Sequence, residues 1–197
     1  MTKEKSLYID FDGTLTNDRY WRSLPTDKHT KIQNLLFGEN RSMVGDWMRG
    51  KYTAEEINKY ASEKIDVPYE ELWEVFVADC KSIKVEQSLL ESIDRLRSKY
   101  VVVLMTGNMD SFTRFTVPSL KLENYFDYIS NSYYEKIHKT DNGGELFTIW
   151  SNKLRIPLSE SVLIDDQQKV CSVFSNLGGI AKLTNDLEET QGIVNLL

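Results

Sequence analysis

The chain has 197 residues, which is long enough for one substantial core or for a core domain that carries a smaller inserted module. Its composition, 41% hydrophobic and 27% charged, is typical of a soluble globular protein. Its formal net charge of -6 argues against nucleic acid as a partner, because phosphate backbones are bound by clustered lysine and arginine side chains. No apolar run approaches the roughly 18 residues of a membrane-spanning helix, so we also expect no membrane partner.

Two features of the sequence favour a cytoplasmic location. The residues from Met1 to Lys5 are mostly polar and lead directly into an apolar segment, so we expect no signal peptide. Cys80 and Cys171 lie far apart in the sequence, which is typical of reduced thiols in a cytosolic protein. Nothing in the sequence indicates an oligomeric state.

Short apolar segments predict the strands. They are Leu7 to Ile9, Val101 to Met105, Tyr125 to Ile129, Val162 to Ile164 and, more weakly, Ile180 to Leu183. Apolar residues at helical spacing lie between them, namely Leu89, Ile93 and Leu96, and then Val170, Phe174 and Leu177. Because strands and helices alternate, we predict an α/β fold, with a Rossmann-like parallel sheet and helices on both of its faces.

The segment from Thr16 to Lys84 breaks this alternation, since it contains helical patterns and no convincing strand. Thr53 followed by Glu55 and Glu56 is typical of a helix start, and Pro68 is expected to open a further helix. A long helical excursion after the first strand indicates an inserted lid.

The expected domain division follows from this insertion. Residues 1–15 and 86–197 are predicted to form the α/β core, and residues 16–85 a small α-helical cap. The hinges of the cap are expected near Thr16 and between Ser82 and Glu86.

Several aromatic and arginine side chains of the cap have two possible roles. They could form a substrate pocket, in which rings stack on a ligand and arginines pair with an anion. The favoured interpretation is that they pack the small core of the cap and decorate its surface. These side chains are Trp21, Arg22, Trp47, Arg49 and Tyr52.

Two carboxylates separated by one residue follow the first apolar segment, in the sequence Leu7-Tyr8-Ile9-Asp10-Phe11-Asp12-Gly13-Thr14-Leu15. Residues two apart in extended chain face the same way, so the side chains of Asp10 and Asp12 can converge on one site. Two buried like charges repel each other unless a cation lies between them, and hard oxygen ligands favour Mg²⁺. The alternative is a strand that simply ends in an Asp-Gly turn.

The segment from Asp10 to Leu15 closely resembles the first motif of the haloacid dehalogenase-like (HAD) superfamily. It is similar to the phosphatase type, with a helical cap inserted after the first motif. The resemblance implies three further motifs in order, each at or near the end of a strand.

The second motif is a hydrophobic strand that ends in threonine or serine, and Val101 to Asn108 fits it. A hydroxyl at Thr106 and the amides of the following turn, at Gly107 and Asn108, can donate to a phosphoryl oxygen. A strand that is merely capped by a Thr-Gly-Asn turn is the alternative.

The third motif is a lysine that supplies fixed positive charge to a phosphoryl group. Lys139 is the best candidate, but Thr140 stands where the family usually has proline. The sequence from Asn142 to Gly144 looks like a small insertion, and Lys136 competes for the same role.

The fourth motif is an acidic pair after an apolar strand, supplied by Asp165 and Asp166. Adjacent acids at a buried strand end need a cation to offset their charge. The resemblance implies that Asp166 is the main Mg²⁺ ligand, that Asp165 supports it, and that Asp10 and the backbone carbonyl of Asp12 complete the set.

The four motifs together imply a Mg²⁺-dependent phosphatase that acts on a small phosphorylated metabolite. Asp10 would form an aspartyl-phosphate, Asp12 would serve as general acid and base, and Thr106 and Lys139 would hold the phosphoryl oxygens. A phosphomutase on the same residues and a catalytically silent binding module remain as alternatives. A dehalogenase is disfavoured by the acid at Asp12.

Overall fold

The computed structural model describes residues 3–197, which form a single parallel sheet with helices on both sides. The strands run in the spatial order β3-β2-β1-β4-β5, and every pair of neighbours is parallel. They are β1 (Ser6–Ile9), β2 (Val101–Thr106), β3 (Tyr128–Asn131), β4 (Ser161–Asp165) and β5 (Ile180–Leu183). The predicted α/β fold is confirmed.

The third strand lies further along the chain than its apolar residues predict. It begins at Tyr128 instead of Tyr125, because Phe126 is buried in the core from a turn and not from extended chain. Asp127 holds that turn against the sheet, since its carboxylate accepts a 2.9 Å hydrogen bond from the backbone N–H of Val102. The predicted start of this strand was therefore wrong by three residues.

Ten α-helices connect the strands within the described residues. They are α1 (Thr26–Gln33), α2 (Arg41–Trp47), α3 (Ala54–Ile65), α4 (Tyr69–Lys81), α5 (Gln87–Leu96), α6 (Val117–Leu120), α7 (Ser132–Glu135), α8 (Glu145–Leu154), α9 (Gln168–Asn176) and α10 (Leu187–Leu196). Two segments of wider π-helical turns, Asn34–Glu39 and Phe112–Thr116, follow α1 and precede α6. None of the described helices has the length and apolar character needed to cross a bilayer.

The predicted helix starts in the inserted segment are confirmed. Thr53 caps α3 with a reciprocal pair of bonds, in which its hydroxyl accepts from the N–H of Glu56 and its own N–H donates to the Glu56 carboxylate. Helix α4 begins directly after Pro68, whose fixed φ suits a helix entry.

The two faces of the sheet bury separate apolar clusters, because alternate residues of a strand point to opposite sides. Leu7 and Ile9 belong to the larger cluster, which continues into helices α3, α4 and α5. Tyr8 faces the other way and makes edge contacts with Phe147 of α8 and Phe174 of α9, at ring-centroid distances of 6.0 and 5.8 Å. Helices thus cover both faces.

The tryptophans of the inserted segment belong to its packed interior. Trp21 and Trp47 are fully buried, and their rings lie 4.7 and 6.3 Å from the ring of Phe76 in α4. The indole N–H of Trp21 donates to Asn58 at 2.9 Å, and that of Trp47 donates to Asp110 at 2.8 Å. The favoured interpretation is right that these tryptophans are packing residues, but they do not form a small core of the segment alone. Trp21 and Trp47 belong to the same apolar cluster as Leu7 and Ile9 of the sheet, so the segment shares its core with the sheet.

Candidate active site

The carboxyl ends of three neighbouring strands bring the predicted site residues together. Ile9 of β1 pairs with Leu104 of β2 on one side and with Ile164 of β4 on the other. Asp10 follows β1 directly, and its N–H donates to the carbonyl of Ile164 at 3.0 Å. Because the strands are parallel and in register, the residues that end them line one rim of the sheet, where open α/β sheets bind ligands.

Three carboxylates meet at this rim. One oxygen from each of Asp10, Asp165 and Asp166 lies within 4.8 Å of the other two. The side chains of Asp10 and Asp165 are withdrawn from solvent, with 3% and 0% exposure. Burial, and then the charge of Asp10, raises the pKa of both Asp165 and Asp166. Three carboxylates this close together need a positively charged group or ion beside them to offset their repulsion.

Gly13 makes room for one of these carboxylates. Its φ of +81° is a conformation that favours glycine, and a Cβ atom at this position would overlap the carboxylate of Asp166. One oxygen of Asp166, Oδ1, is buried and has no hydrogen-bond partner among residues 3–197. Such an orphaned anionic oxygen beside two further carboxylates fits a hard divalent cation.

Lys139 is the lysine that reaches the acidic cluster. Its buried Nζ lies 2.9 Å from Oδ1 of Asp10 and 2.5 Å from Oδ2 of Asp165. Burial alone would lower the pKa of Lys139, but the two carboxylates outweigh it, and the pKa is raised above its ordinary value. Lys136 instead is exposed, and its Nζ lies 4.7 Å from the centre of the Tyr133 ring.

The irregular sequence after Lys139 folds into a compact turn. Residues Asp141–Gly143 form a single 3₁₀ turn before α8, with Asn142 at a φ of +49°. The carboxylate of Asp141 accepts the N–H of His138 at 2.9 Å and pairs with Arg49 at 2.7 Å. The turn is thereby tied to the inserted helical segment (residues 16–85), and it holds the stretch that carries Lys139.

The carboxylate of Asp12 occupies a different environment from that of Asp10. Its Oδ2 accepts a 2.7 Å hydrogen bond from the side-chain amide of Asn108, and its Oδ1 lies 3.8 Å from an exposed guanidinium, that of Arg19. Desolvation, and then the charge of Asp10, raises the pKa of Asp12 to about 7. An acid with this pKa can hold or release a proton near neutral pH.

The residues of the second predicted motif lie beside the carboxylates. Thr106 ends β2 and is buried, and a Cβ atom at Gly107 would lie 3.2 Å from the ring nitrogen Nδ1 of His138. Asn108 uses both of its donor groups within the protein, because its backbone N–H donates to Ser132 at 3.1 Å and its side chain to Asp12.

A two-part cavity opens onto these groups. One part, of about 290 Å³, is lined by residues that include Asp10, His138 and Lys139. The adjoining part, of about 380 Å³, is lined mainly by side chains that sequence reasoning did not connect with the site. They are Arg19, Tyr20, Gln33, Phe37 and Met109, with Met48 and Gln167 shared by both parts. Their positions depend on how the helical segment packs on the sheet, and no local motif indicates them.

Comparison with known proteins gives structural relatives only. The chain matches no family model and no curated protein. An HAD family enzyme from Bacteroides thetaiotaomicron is 21% identical, with a TM-score of 0.73 over 92% of this chain and 93% of that one. That enzyme has also been solved in complex with magnesium and inorganic phosphate. A HAD-like family hydrolase from Porphyromonas gingivalis has a TM-score of 0.70 at 15% identity, over 100% and 98% of the two chains. A 2-haloacid dehalogenase from Pseudomonas syringae pv. tomato has a TM-score of 0.63 at 16% identity, over 92% and 86%.

The parallel sheet with clustered carboxylates at its carboxyl rim places this protein among the α/β proteins with a ligand site at the ends of their strands. Within that class, the solved structures show that the chain has the fold of the HAD superfamily, as the sequence motifs predict. These structural relatives include both a dehalogenase and an enzyme solved with magnesium and phosphate, so the fold alone does not specify the reaction.

Proposed function

We propose that this protein is a cytoplasmic, Mg²⁺-dependent phosphatase that hydrolyses a small phosphorylated metabolite, with Asp10 as the nucleophile. The observation that carries the proposal is the buried arrangement of Lys139 between Asp10 and Asp165, next to the carboxylate of Asp166. Three acids and one ammonium leave net negative charge, which suits a divalent cation and, through it, an anionic substrate.

The donor set fits Mg²⁺. Asp10, Asp165 and Asp166 supply hard carboxylate oxygens, and Oδ1 of Asp166 has no partner of its own in the described structure. The backbone carbonyl of Asp12 is proposed as a further ligand. The chemistry that the ion supplies when bound is neutralisation of the repulsion between Asp10 and a phosphate oxygen.

The protein's own groups then divide the reaction between them. A carboxylate oxygen of Asp10 attacks phosphorus, so that a bond from Asp10 to phosphorus forms while the bond from phosphorus to the ester oxygen breaks. Asp12 gives its proton to the departing oxygen. Lys139 and Thr106, with the backbone of Gly107, are proposed to hold the non-bridging oxygens, on which the charge is concentrated.

The second half of the reaction regenerates the free enzyme. Water attacks the phosphorus of the aspartyl-phosphate, and Asp12 takes the proton that the water gives up. The bond from Asp10 to phosphorus breaks, and inorganic phosphate leaves. Burial raises the pKa of Asp12 above the usual range of a carboxyl, which favours a side chain that acts first as an acid and then as a base.

The helical segment is proposed to act as a cap. In this division residues 16–85 form the cap, and residues 1–15 and 86–197 form the α/β core. The larger part of the cavity would hold the leaving group, because Arg19, Gln33 and Phe37 line it from the helical segment. A small alcohol or sugar would fit a space of about 380 Å³ better than a macromolecule.

Asp12 also supports phosphate hydrolysis over halide removal. A halide leaves as an anion and needs no proton, whereas an alkoxide is a poor leaving group without one. A carboxyl whose pKa is raised by burial, two residues from the nucleophile, serves the second kind of reaction.

A substrate panel tests the proposal. The purified protein with Mg²⁺ is expected to release inorganic phosphate from at least one class of phosphate monoester, among sugar phosphates, nucleotides, phosphorylated amino acids and aryl phosphates. The matched control is Asp10→Asn, which keeps the shape of the side chain and removes the nucleophile. Chloride release from 2-chloropropionate without any phosphate release would contradict the proposal.

A further inference from the structure

The side chain of Asn108 connects the helical segment to the carboxylate of Asp12. Its Nδ2 donates to Oδ2 of Asp12 at 2.7 Å, and its Oδ1 accepts the hydroxyl of Tyr20 at 2.8 Å. Tyr20 belongs to the helical segment, whereas Asn108 follows β2 of the sheet. The three side chains form one hydrogen-bonded chain across the boundary between the two parts of the protein.

The orientation of the Asn108 amide is fixed by its neighbours. Its Oδ1 also accepts the backbone N–H of Met109 at 3.0 Å, which leaves Nδ2 as the only group that can face Asp12. The backbone N–H of Asn108 donates to Ser132, and the residue is 1% exposed. Asn108 is therefore held from both its backbone and its side chain.

Tyr20 is also held in place, mainly by the packing of its ring. Its ring packs on Phe76 at a centroid distance of 5.5 Å and on Trp21 at 6.2 Å, and the residue is 8% exposed. Burial, and then the charge of Asp12, raises the pKa of Tyr20 well above its ordinary value, so its hydroxyl remains a donor. The contact to Asn108 thus requires that the helical segment is seated on the sheet.

We propose that Asn108 is a positioning residue that holds Asp12 in the orientation from which it protonates the leaving group, and that Tyr20 completes this arrangement when the cap is seated. The proposal rests on the proposed phosphatase function. It assigns the side chain of Asn108 to the acid instead of to the phosphate. Neither Tyr20 nor Asn108 transfers a proton itself, so the role is one of orientation.

The role predicts a dependence on the leaving group. An ester whose oxygen departs readily as an anion needs little help from Asp12, whereas a more basic leaving group depends on it. Phenyl phosphate and p-nitrophenyl phosphate have nearly the same shape, but phenolate is the more basic leaving group and p-nitrophenolate the less basic one. A defect in the orientation of Asp12 should therefore affect phenyl phosphate more.

The experiment compares kcat/KM for these two esters in wild type, Asn108→Ala and Tyr20→Phe. We expect Asn108→Ala to lower the value for phenyl phosphate about tenfold or more beyond its effect on p-nitrophenyl phosphate. Tyr20→Phe should also lower kcat/KM more for phenyl phosphate than for p-nitrophenyl phosphate, by a smaller factor. This variant provides the test if Asn108→Ala does not fold. Tyr52→Phe, at an exposed tyrosine of the same helical segment, is the matched control and should show no bias.

A double substitution separates positioning from general damage. In an Asp12→Asn background the bias caused by Asn108→Ala should disappear, because there is no acid left to orient. Equal losses on both esters in Asn108→Ala and Tyr20→Phe would overturn the inference while leaving the phosphatase proposal intact. No Mg²⁺-dependent phosphate release from either ester by the wild type would instead count against the proposed function.

Discussion

The ammonium of Lys139 lies 2.5 Å from Oδ2 of Asp165, at a point where both side chains are withdrawn from water. The same ammonium reaches Asp10 at 2.9 Å, so one cation links the ends of β1 and β4. Burying two charges costs desolvation free energy that their attraction can fail to repay, so such a pair is weak evidence for a purely stabilising role. In this protein the pair places a fixed positive charge beside the proposed nucleophile.

The first prediction concerns the two competing lysines. Lys139→Ala should lower kcat/KM for a phosphate ester by about a hundredfold or more, because it removes the fixed charge that faces the phosphoryl oxygens. Lys136→Ala should remain within about twofold of wild type, since this side chain is exposed and its ammonium lies over the ring of Tyr133 instead of reaching the carboxylates. Steady-state kinetics on both variants decides between them, and the reverse order would refute the assignment of Lys139.

The second prediction concerns metal binding. Asp166→Asn should weaken the binding of Mg²⁺, measured by calorimetry without substrate, because it removes a charged ligand from the cluster. Asp94→Asn is a suitable control, since that carboxylate lies on the surface of α5, where it pairs with Arg97 at 2.9 Å, and is outside the cluster. Unchanged Mg²⁺ affinity in Asp166→Asn would show that the ion binds elsewhere.

The third prediction concerns Gly13, whose φ of +81° and closeness to Asp166 both oppose a side chain. Gly13→Ala should destabilise the fold by about 1–3 kcal/mol and also weaken Mg²⁺ binding, because the carboxylate has to move. Gly192→Ala is the matched control. No atom lies within 4 Å of a Cβ atom there, and alanine in α10 should stabilise the helix by about 0.5–1 kcal/mol. Denaturant unfolding measures both variants, and equal stability effects would contradict the role of Gly13.

The fourth prediction concerns the pH dependence of stability without metal. The pKa of Asp12 is raised from 3.8 to about 7, so folding favours its protonated form. Its contribution to stability is therefore fully present below about pH 4 and is lost as the pH rises through about 7. The thermal midpoint in EDTA should fall over this interval, and Mg²⁺ should offset the fall. Asp165, whose pKa is also raised to about 7, contributes to the same fall. Asp12→Asn should therefore make the fall smaller without abolishing it, and an unchanged fall in that variant would refute the assignment.

Much of the fold and the acidic cluster could be predicted because the information is local. Asp10, Asp165 and Thr106 follow or end apolar strands, and parallel strands in register place such residues side by side. The predicted start of the third strand is wrong because Tyr125 and Phe126 look like strand residues in the sequence. Phe126 is buried in the core, but it precedes the strand, which begins at Tyr128.

The leaving-group side of the cavity could not be predicted in the same way. The bond from Tyr20 to Asn108 joins residues 88 positions apart, and it exists only because the helical segment packs on the sheet. The positions of Phe37 and Met48 in the cavity have the same origin. Apolar periodicity indicates that such side chains are buried, but it does not say which partner buries them.

The nucleophilic role of Asp10 can be tested without knowing the substrate. Beryllium fluoride binds the carboxylate of phosphate-accepting aspartates as a mimic of the aspartyl-phosphate, and ¹⁹F NMR reports the bound species. We predict bound signals that require Mg²⁺, that persist in Asp12→Asn and that disappear in Asp10→Asn. Bound signals that survive in Asp10→Asn, or a protein that releases phosphate in the presence of EDTA, would contradict the proposed mechanism.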